Sequence, residues 1–514
     1  MQKFLSRFAD KIIGVLSGFD RLLFRGSLRR LCYPEGLEGF LAFRNICRKD
    51  FGETAERWTK LTKELALKDA ETQGVPIEHL TSGAVDKEEI AKRHLKSKPI
   101  ESGLVCILTA VEPCSIWNVH RSREKKRILF DLRHGMCQHI YRYFVDPDFG
   151  LIHARLQTWM PYAFQVCVNG REWLAQQMRR EGIGFQQMDN CFPWIEDVPR
   201  AQKLMDGFLK LPLQSWLDDL ALHVHPALST ILGDFKASYF WTAHQSEWAT
   251  DVMFKDPESL AHLYPSIVRH CMTDLGSDDV FRFLGKKLNG NFQGEVLTRF
   301  RRRIEGICVK HFIDRNSLKL YDKFGILRLE GTINWPKFFK VMRCAEGHGN
   351  ESKRLRPLRK GISDLQLRAN VCQAINKRTL DNLAVIADPT PIKDLLDPIT
   401  KPAELGGRRV RALRPWSKDD LDLLAAVARG EFLIQGFRNR DLLPLLYATS
   451  SQDKKEHRRR SARISRLLRM LRAHNLIEKV TGTHRYMVTK AGTATIAALL
   501  GVRELPLSAI KQVA

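Results

Sequence analysis

The chain has 514 residues, 44% of them hydrophobic and 27% charged, and its 83 Lys/Arg against 58 Asp/Glu give a net charge of +25. At roughly 100–200 residues per domain that predicts a soluble globular chain of several domains, and it excludes wholesale disorder. No run reaches the roughly 18 apolar residues that span a bilayer, and Asp10 and Asp20 interrupt the basic N-terminus, so neither a membrane span nor a signal peptide is expected.

Residues 1–100 read as a mostly helical region: "EGLEGFLAFRNI" and "DFGETAERWTKLTKELALKDAETQ" carry apolar positions at helical spacing, and "DKEEIAKRHL" opens with acids. Past Lys98-Pro99 the texture changes. "GLVCILTAVE" is a short apolar run, and "QHIYRYFVDPDFGLIHARLQTW" predicts two strands around the turn at Asp146–Gly150. "GREWLAQQMRREGI" returns to helix, and a further helix follows Asp256-Pro257. "EVLTRFRRR", "GICVKHFI", "SLKLY" and "ILRLEGTI" predict a β-meander with turns at Asp314–Asn316 and Phe324-Gly325. Residues 346–414 read as a helix and a Pro/Gly-rich basic linker, and 415–505 as a separate module. The expected fold is therefore α+β, multidomain, with a helical N-terminal region (1–100), a central mixed α/β core for nucleic-acid binding or processing (101–345), the linker, and a C-terminal winged helix-turn-helix.

Charge and cysteine usage bound the function. Between Lys401 and Ala514 stand 23 Lys/Arg against 10 Asp/Glu, so about half of the surplus lies in less than a quarter of the chain. A concentrated basic surface suits a polyphosphate, because each neutralised phosphate releases condensed counterions. Eleven cysteines without a CxxC predict reduced thiols and a cytoplasmic location. There is no P-loop, no GxGxxG after a strand and no nucleophile elbow, so no nucleotide or flavin cofactor is expected.

In the C-terminal module Ser417 caps "SKDDLDLLAAVARGEF", and "FRNRDLLPLLY" is a shorter helix distorted by Pro444. In "KKEHRRRSARISRLLRMLRAHNLIEKV", Ile464, Leu467, Leu468 and Leu471 form one apolar stripe. Arg459, Arg463 and Arg466 fall within about 60° of one another on the other side, at about 100° per residue. The ending "HNLIEKVTGTHRYMVTKAGTATIAAL" resembles bacterial winged-helix regulators of the MarR type over about 90 residues. The resemblance implies DNA contacts from Arg459, Arg463 and Arg466 on a recognition helix and from His484 and Arg485 on a wing.

The stretch "SLKLYDKFGILRLEGTI" carries the candidate chemistry. If Phe324-Gly325 is a two-residue turn, Tyr321 lies opposite Arg328 and Lys319 opposite Glu330, all on one face, with the leucines on the other. The commoner explanation of such a pattern is a half-buried sheet with a wet face. "KLYDK" followed by "LRLE" resembles the end of the nicking domain of plasmid and phage rolling-circle replication initiators. That resemblance implies Tyr321 as nucleophile, Arg328 and Lys319 as phosphate clamps, and carboxylates holding Mg²⁺ or Mn²⁺. Glu247 and Asp251, four apart and on one face as helix or strand, would complete that metal site with Glu330.

Two further groups are candidates. His223 and His225 in "LHVHP" fit a paired-histidine metal motif but end a helical segment. His134, Cys137 and His139, with Cys114 and His120 upstream, offer a zinc set, against which stands a reading as buried soft residues. The texture of the whole chain resembles basic bacterial proteins of mobile-element type. The expectation is a nucleic-acid-binding protein of a mobile or replicating element, with DNA favoured and metal-dependent tyrosine transesterification as its candidate activity. The alternatives are a non-enzymatic winged-helix transcriptional regulator and a structured-RNA-binding protein. No membrane partner is expected, and the sequence leaves the oligomeric state open.

Overall fold

The computed structural model describes residues 1–124, 127–286, 295–303, 306–344, 353–387, 393, 396–429, 432, 436–447 and 453–504. The chain divides into two compact units. The first takes Met1–Thr273 and most of the stretch from Phe283 to Leu383; the second takes the chain from Ala384 onward together with Asp274–Arg282.

The first unit is mixed α/β. Its strands are β1 (Ile12–Leu28), β2 (Ile77–Leu80), β3 (Gly103–Ser122), β4 (Arg127–Asp146), β5 (Gly150–Gln157), β6 (Phe164–Asn169), β7 (Phe185–Met188), β8 (Cys191–Ile195), β9 (Tyr239–Phe254), β10 (Val296–Arg303), β11 (Gly306–Ile313), β12 (Asn316–Lys323), β13 (Ile326–Ile333), β14 (Lys340–Arg343) and β15 (Arg354–Pro357), the last two forming a small hairpin of their own. Eleven of them make one sheet in the order β10-β11-β12-β13-β9-β1-β6-β5-β4-β3-β2, and β7 and β8 form a separate hairpin. Neighbours pair antiparallel except β2 and β3, which are parallel.

The meander appears as expected, with β10 to β13 adjacent in sequence order. The expectation of helix across 1–100 holds for Pro34–Phe43, Phe51–Gln73 and Lys87–Ser97 but fails at Ile12–Leu28. That segment is β1, near the middle of the sheet, paired with β9 and β6. A strand covered on both faces reads as a nearly continuous apolar run, which periodicity alone does not separate from a buried helix. The sheet also crosses residue 100, since β1 and β2 join strands from the 101–345 stretch.

Helices cover both faces. Leu365–Leu383 packs on the face of β13 that carries Leu327, Leu329 and Gly331, and Asn376 Nδ2 donates to Thr250 Oγ1 at 3.0 Å and to the Leu329 carbonyl at 3.2 Å. Gly170–Arg180 and Val198–Gly207 pack on the opposite face of β1. Close approach there demands glycine: a Cβ on Gly170 would lie 2.2 Å from the Phe19 carbonyl oxygen. Asn169 caps the first of these helices, its Oδ1 accepting from the Arg171 and Glu172 amides.

In the second unit three helices, Lys418–Val427, Asn439–Leu446 and Lys454–Ala473, precede a hairpin of Ile477–Lys479 and Tyr486–Val488 and a closing helix, Lys490–Glu504. Ser417 caps the first, as expected, and Pro444 lies inside the second. Leu424, Leu442, Ile464, Leu468, Leu471 and Ile496 share one buried core. Among the described residues no helix is long and apolar enough to cross a membrane.

Candidate functional site

The β12–β13 register is the one the turn argument requires: Tyr321 lies opposite Arg328 and Lys319 opposite Glu330. β13 also pairs with β9, setting Arg328 opposite Asp251 and Thr332 opposite Glu247. One polar face therefore gathers Lys319, Tyr321, Arg328, Glu330, Glu247 and Asp251, the six residues expected in the core.

A seventh residue, Asp20, comes from β1. Phe19 pairs with Trp248 and Leu22 with Ser246, so Asp20 and Arg21 together face the single residue Glu247. This two-against-one count is a β-bulge, a device that re-aims a side chain. Asp20 is 1% exposed, and its carboxylate joins those of Glu247 and Glu330, with ligand oxygens within 4.8 Å of one another.

Asp251, expected as the third ligand beside Glu247 and Glu330, lies outside that trio. Its carboxylate is 2.9 Å from Arg171 Nη2 and 3.4 Å from Arg328 Nη1. Asp20 takes its place. Sequence reasoning also missed Arg171, fully buried at the start of the Asn169-capped helix, and Asn190, whose Nδ2 donates to Asp20 Oδ2 at 2.6 Å. The strand pattern around Asp20 was the available signal: burial alternates from Leu22 through Phe24 and Gly26 to Leu28.

The expected phosphate clamps are part of the cluster itself. Arg328 is 0% exposed, pairs with Asp20, and donates to the Asn190 carbonyl at 2.8 Å. Lys319 pairs with Glu330 and sits 3.9 Å from Glu247. Lys323 is held by Asp189 and Asn190. Four carboxylates, Asp20, Glu247, Asp251 and Glu330, thus face two buried cations, Arg171 and Arg328, and the half-buried Lys319, with Arg21 exposed at the rim.

That imbalance shows in the titration of the acids. Burial, then the charge of Glu330, raises Glu247 above the ordinary carboxylate range. Burial raises Asp20 as well, against the opposing Arg328. Glu330 goes the other way: burial would raise it, but Lys319 and Arg328 outweigh that and hold it low. Tyr321 is buried and donates its hydroxyl to Glu330 Oε2 at 2.9 Å. Burial, reinforced by Glu330, pushes its phenol far above the ordinary range. A phenol so placed is a poor nucleophile at neutral pH unless a bound metal activates it, and in this structure its hydroxyl is engaged with Glu330.

The trio offers hard oxygen donors, and Asp20 Oδ1 is buried without a hydrogen-bond partner. Both features fit Mg²⁺ or Mn²⁺. The paired-histidine candidate does not fit a metal. His223 is on the Leu213–Val224 helix, while His225 is buried with Nδ1 3.2 Å from the Tyr239 hydroxyl and is pushed down to about 3 by burial.

The second unit places the other expected residues. Arg459 and Arg463 stand out from the Lys454–Ala473 helix with side chains 79% and 53% exposed, and Arg466 is exposed beside them. The opposite side of that helix buries Ile464, Leu468 and Leu471. Arg459 pairs with Glu456 at 2.9 Å, and Arg463 with Asp419 at 2.7 Å. Exposed His484 and half-buried Arg485 lie in the hairpin turn between Lys479 and Tyr486.

No protein-family model, curated protein or solved structure matches this chain.

Proposed function

We propose that this is a nucleic-acid-binding protein of a mobile or replicating element that grips duplex DNA through a C-terminal winged helix-turn-helix. The observation that carries the reading is the exposed row Arg459, Arg463 and Arg466 on a helix whose other side is locked into the core by Ile464, Leu468 and Leu471. Three helices, a hairpin and a closing helix follow the order of that motif. The helix would enter the major groove, and His484 and Arg485 would touch backbone from the hairpin. The test measures duplex affinity against salt. A steep slope that flattens when the three arginines are replaced supports the reading; binding indifferent to salt overturns it. Preference for folded RNA over duplex at fixed salt would move the assignment to RNA.

In the first unit the same reading assigns metal-dependent strand nicking to Asp20, Glu247 and Glu330, which would hold Mg²⁺ or Mn²⁺. Such an ion supplies Lewis-acid polarisation of a phosphodiester and an activated oxygen nucleophile. Lys319 and Arg328 hold Glu330 ionised, and Tyr321 fixes its orientation. Nicking of supercoiled DNA that needs the divalent ion, is lost in Asp20→Asn and survives Tyr321→Phe is the expected result. A non-enzymatic regulator is the second reading, favoured by the ion pairs that already occupy Asp20 and Glu330; absence of cleavage with either ion selects it.

A further inference from the structure

The sheet carries a second cluster far along its order from the carboxylates, on β3 and β4. Cys137 and His139 are two apart on β4 and share a face, and Cys114 on β3 lies diagonally beside them: Glu112 pairs with Cys137, and Cys114 with Gly135. The Cys114 thiol donates to the Cys137 sulfur at 3.1 Å. The two sulfurs and a ring nitrogen of His139 all lie within 4.8 Å of one another.

We propose that Cys114, Cys137 and His139 form a binding site for a borderline-soft divalent ion, zinc in the first place, with a fourth position open to water. This goes beyond the nucleic-acid reading and does not rest on it. Tetrahedral zinc has Zn–S near 2.3 Å and Zn–N near 2.0–2.1 Å, which sets its ligand atoms roughly 3.5–3.8 Å apart. The observed set stands near that spacing, with the sulfurs 3.1 Å apart and all three ligand atoms within 4.8 Å of one another. His139 is already prepared as a ligand. Its Nδ1 lies 3.2 Å from the Cys137 carbonyl, an outer partner of the kind that orients a zinc-binding imidazole and leaves Nε2 as the ligand atom. Both thiols are only half-buried, which gives the ion a path in.

The protons balance simply. Two S–H bonds break, two S–Zn bonds form, and two protons pass to solvent, so zinc and two thiolates leave no net charge. Of the other histidines in the neighbourhood, His120 pairs with Asp131 at 3.0 Å and His134 is exposed, so neither completes the set.

The test uses the full chain, purified reduced, stripped with chelator and titrated with zinc alone, then with cobalt(II) as a spectroscopic probe. The expected result is one zinc per chain, a thiolate-to-cobalt charge-transfer band, and zinc affinity more than about 100-fold weaker in Cys114→Ser. That loss exceeds the roughly 10–100-fold typical of removing an outer hydrogen-bond partner. The thiolate-to-cobalt band, which oxygen donors cannot give, separates this site from the carboxylates and from the nicking assay. Zinc affinity unchanged from the wild type in Cys114→Ser and Cys137→Ser, or cobalt spectra without the thiolate band, overturns the proposal. So does a chain whose only change at these sulfurs is a disulfide that peroxide forms and zinc does not prevent.

Discussion

Arginine is used in two opposite ways in the two units. In the first, Arg171 and Arg328 are fully buried and locked to Asp251 and Asp20. In the second, Arg459 and Arg463 stand in water, and their partners Glu456 and Asp419 are exposed enough to exchange. A buried pair cannot be broken cheaply, because the orphaned charge stays in a poor solvent. An exposed pair contributes about 0–1 kcal/mol and gives way to a phosphate without penalty. The difference teaches that location rather than residue type decides whether an arginine builds the fold or serves a ligand.

Arg328→Met is the strongest way to break that contrast. It strands Asp20 without its ion-pair partner and leaves Asp251 to Arg171 alone, and stability should fall by about 3–5 kcal/mol in chemical denaturation. An unchanged midpoint would mean that water reaches the cluster. Next in size, replacing Arg459, Arg463 and Arg466 together should leave folding intact and reduce the slope of log affinity against log salt by about 2.7, at about 0.9 per phosphate contact. A slope that stays put removes these residues from the interface. Gly170→Ala pushes a methyl onto the Phe19 carbonyl beside the bulge. A cost of about 1–3 kcal/mol is expected, together with loss of any divalent-ion response that depends on Asp20.

The smallest effect sharpens the comparison most. The raised carboxyl of Glu247 contributes stability that is present below the ordinary glutamate value of about 4.3 and is lost as pH rises through its higher folded value. In EDTA, thermal stability of the wild type should decline across that window. Glu247→Gln should shrink the decline to the part that Asp20 contributes and raise the midpoint at neutral pH by about 1–3 °C. A midpoint that falls instead would show that Lys319 needs this carboxylate more than Glu330 repels it.

The hairpin was legible in the sequence because a two-residue turn and strict alternation fix register locally: Tyr321 and Lys319 face the partners that the turn requires. The apolar stripe of the Lys454–Ala473 helix was legible for the same reason, a short-range period. Asp20 was not. It reaches the site through a bulge in a strand paired with residues more than two hundred positions away, and no local pattern encodes that pairing. The choice of Asp251 as a ligand failed for a related reason. Spacing placed it on the right face, but Arg171, from a helix elsewhere in the chain, had already claimed it. The burial of Tyr321 likewise comes from layers that its own neighbours in sequence do not reveal.

The position of β1 has a consequence for synthesis. It leaves the ribosome well before one of its two neighbours, β9, which ends at Phe254. At about 5–20 residues per second, roughly 10–50 s pass before that neighbour is made. For that interval an apolar ribbon with an unmatched edge is exposed to every other nascent chain. Stalled ribosomes carrying the chain only as far as Leu232 should hold β1 open to protease and to holdase chaperones, and extension past Phe254 should close it.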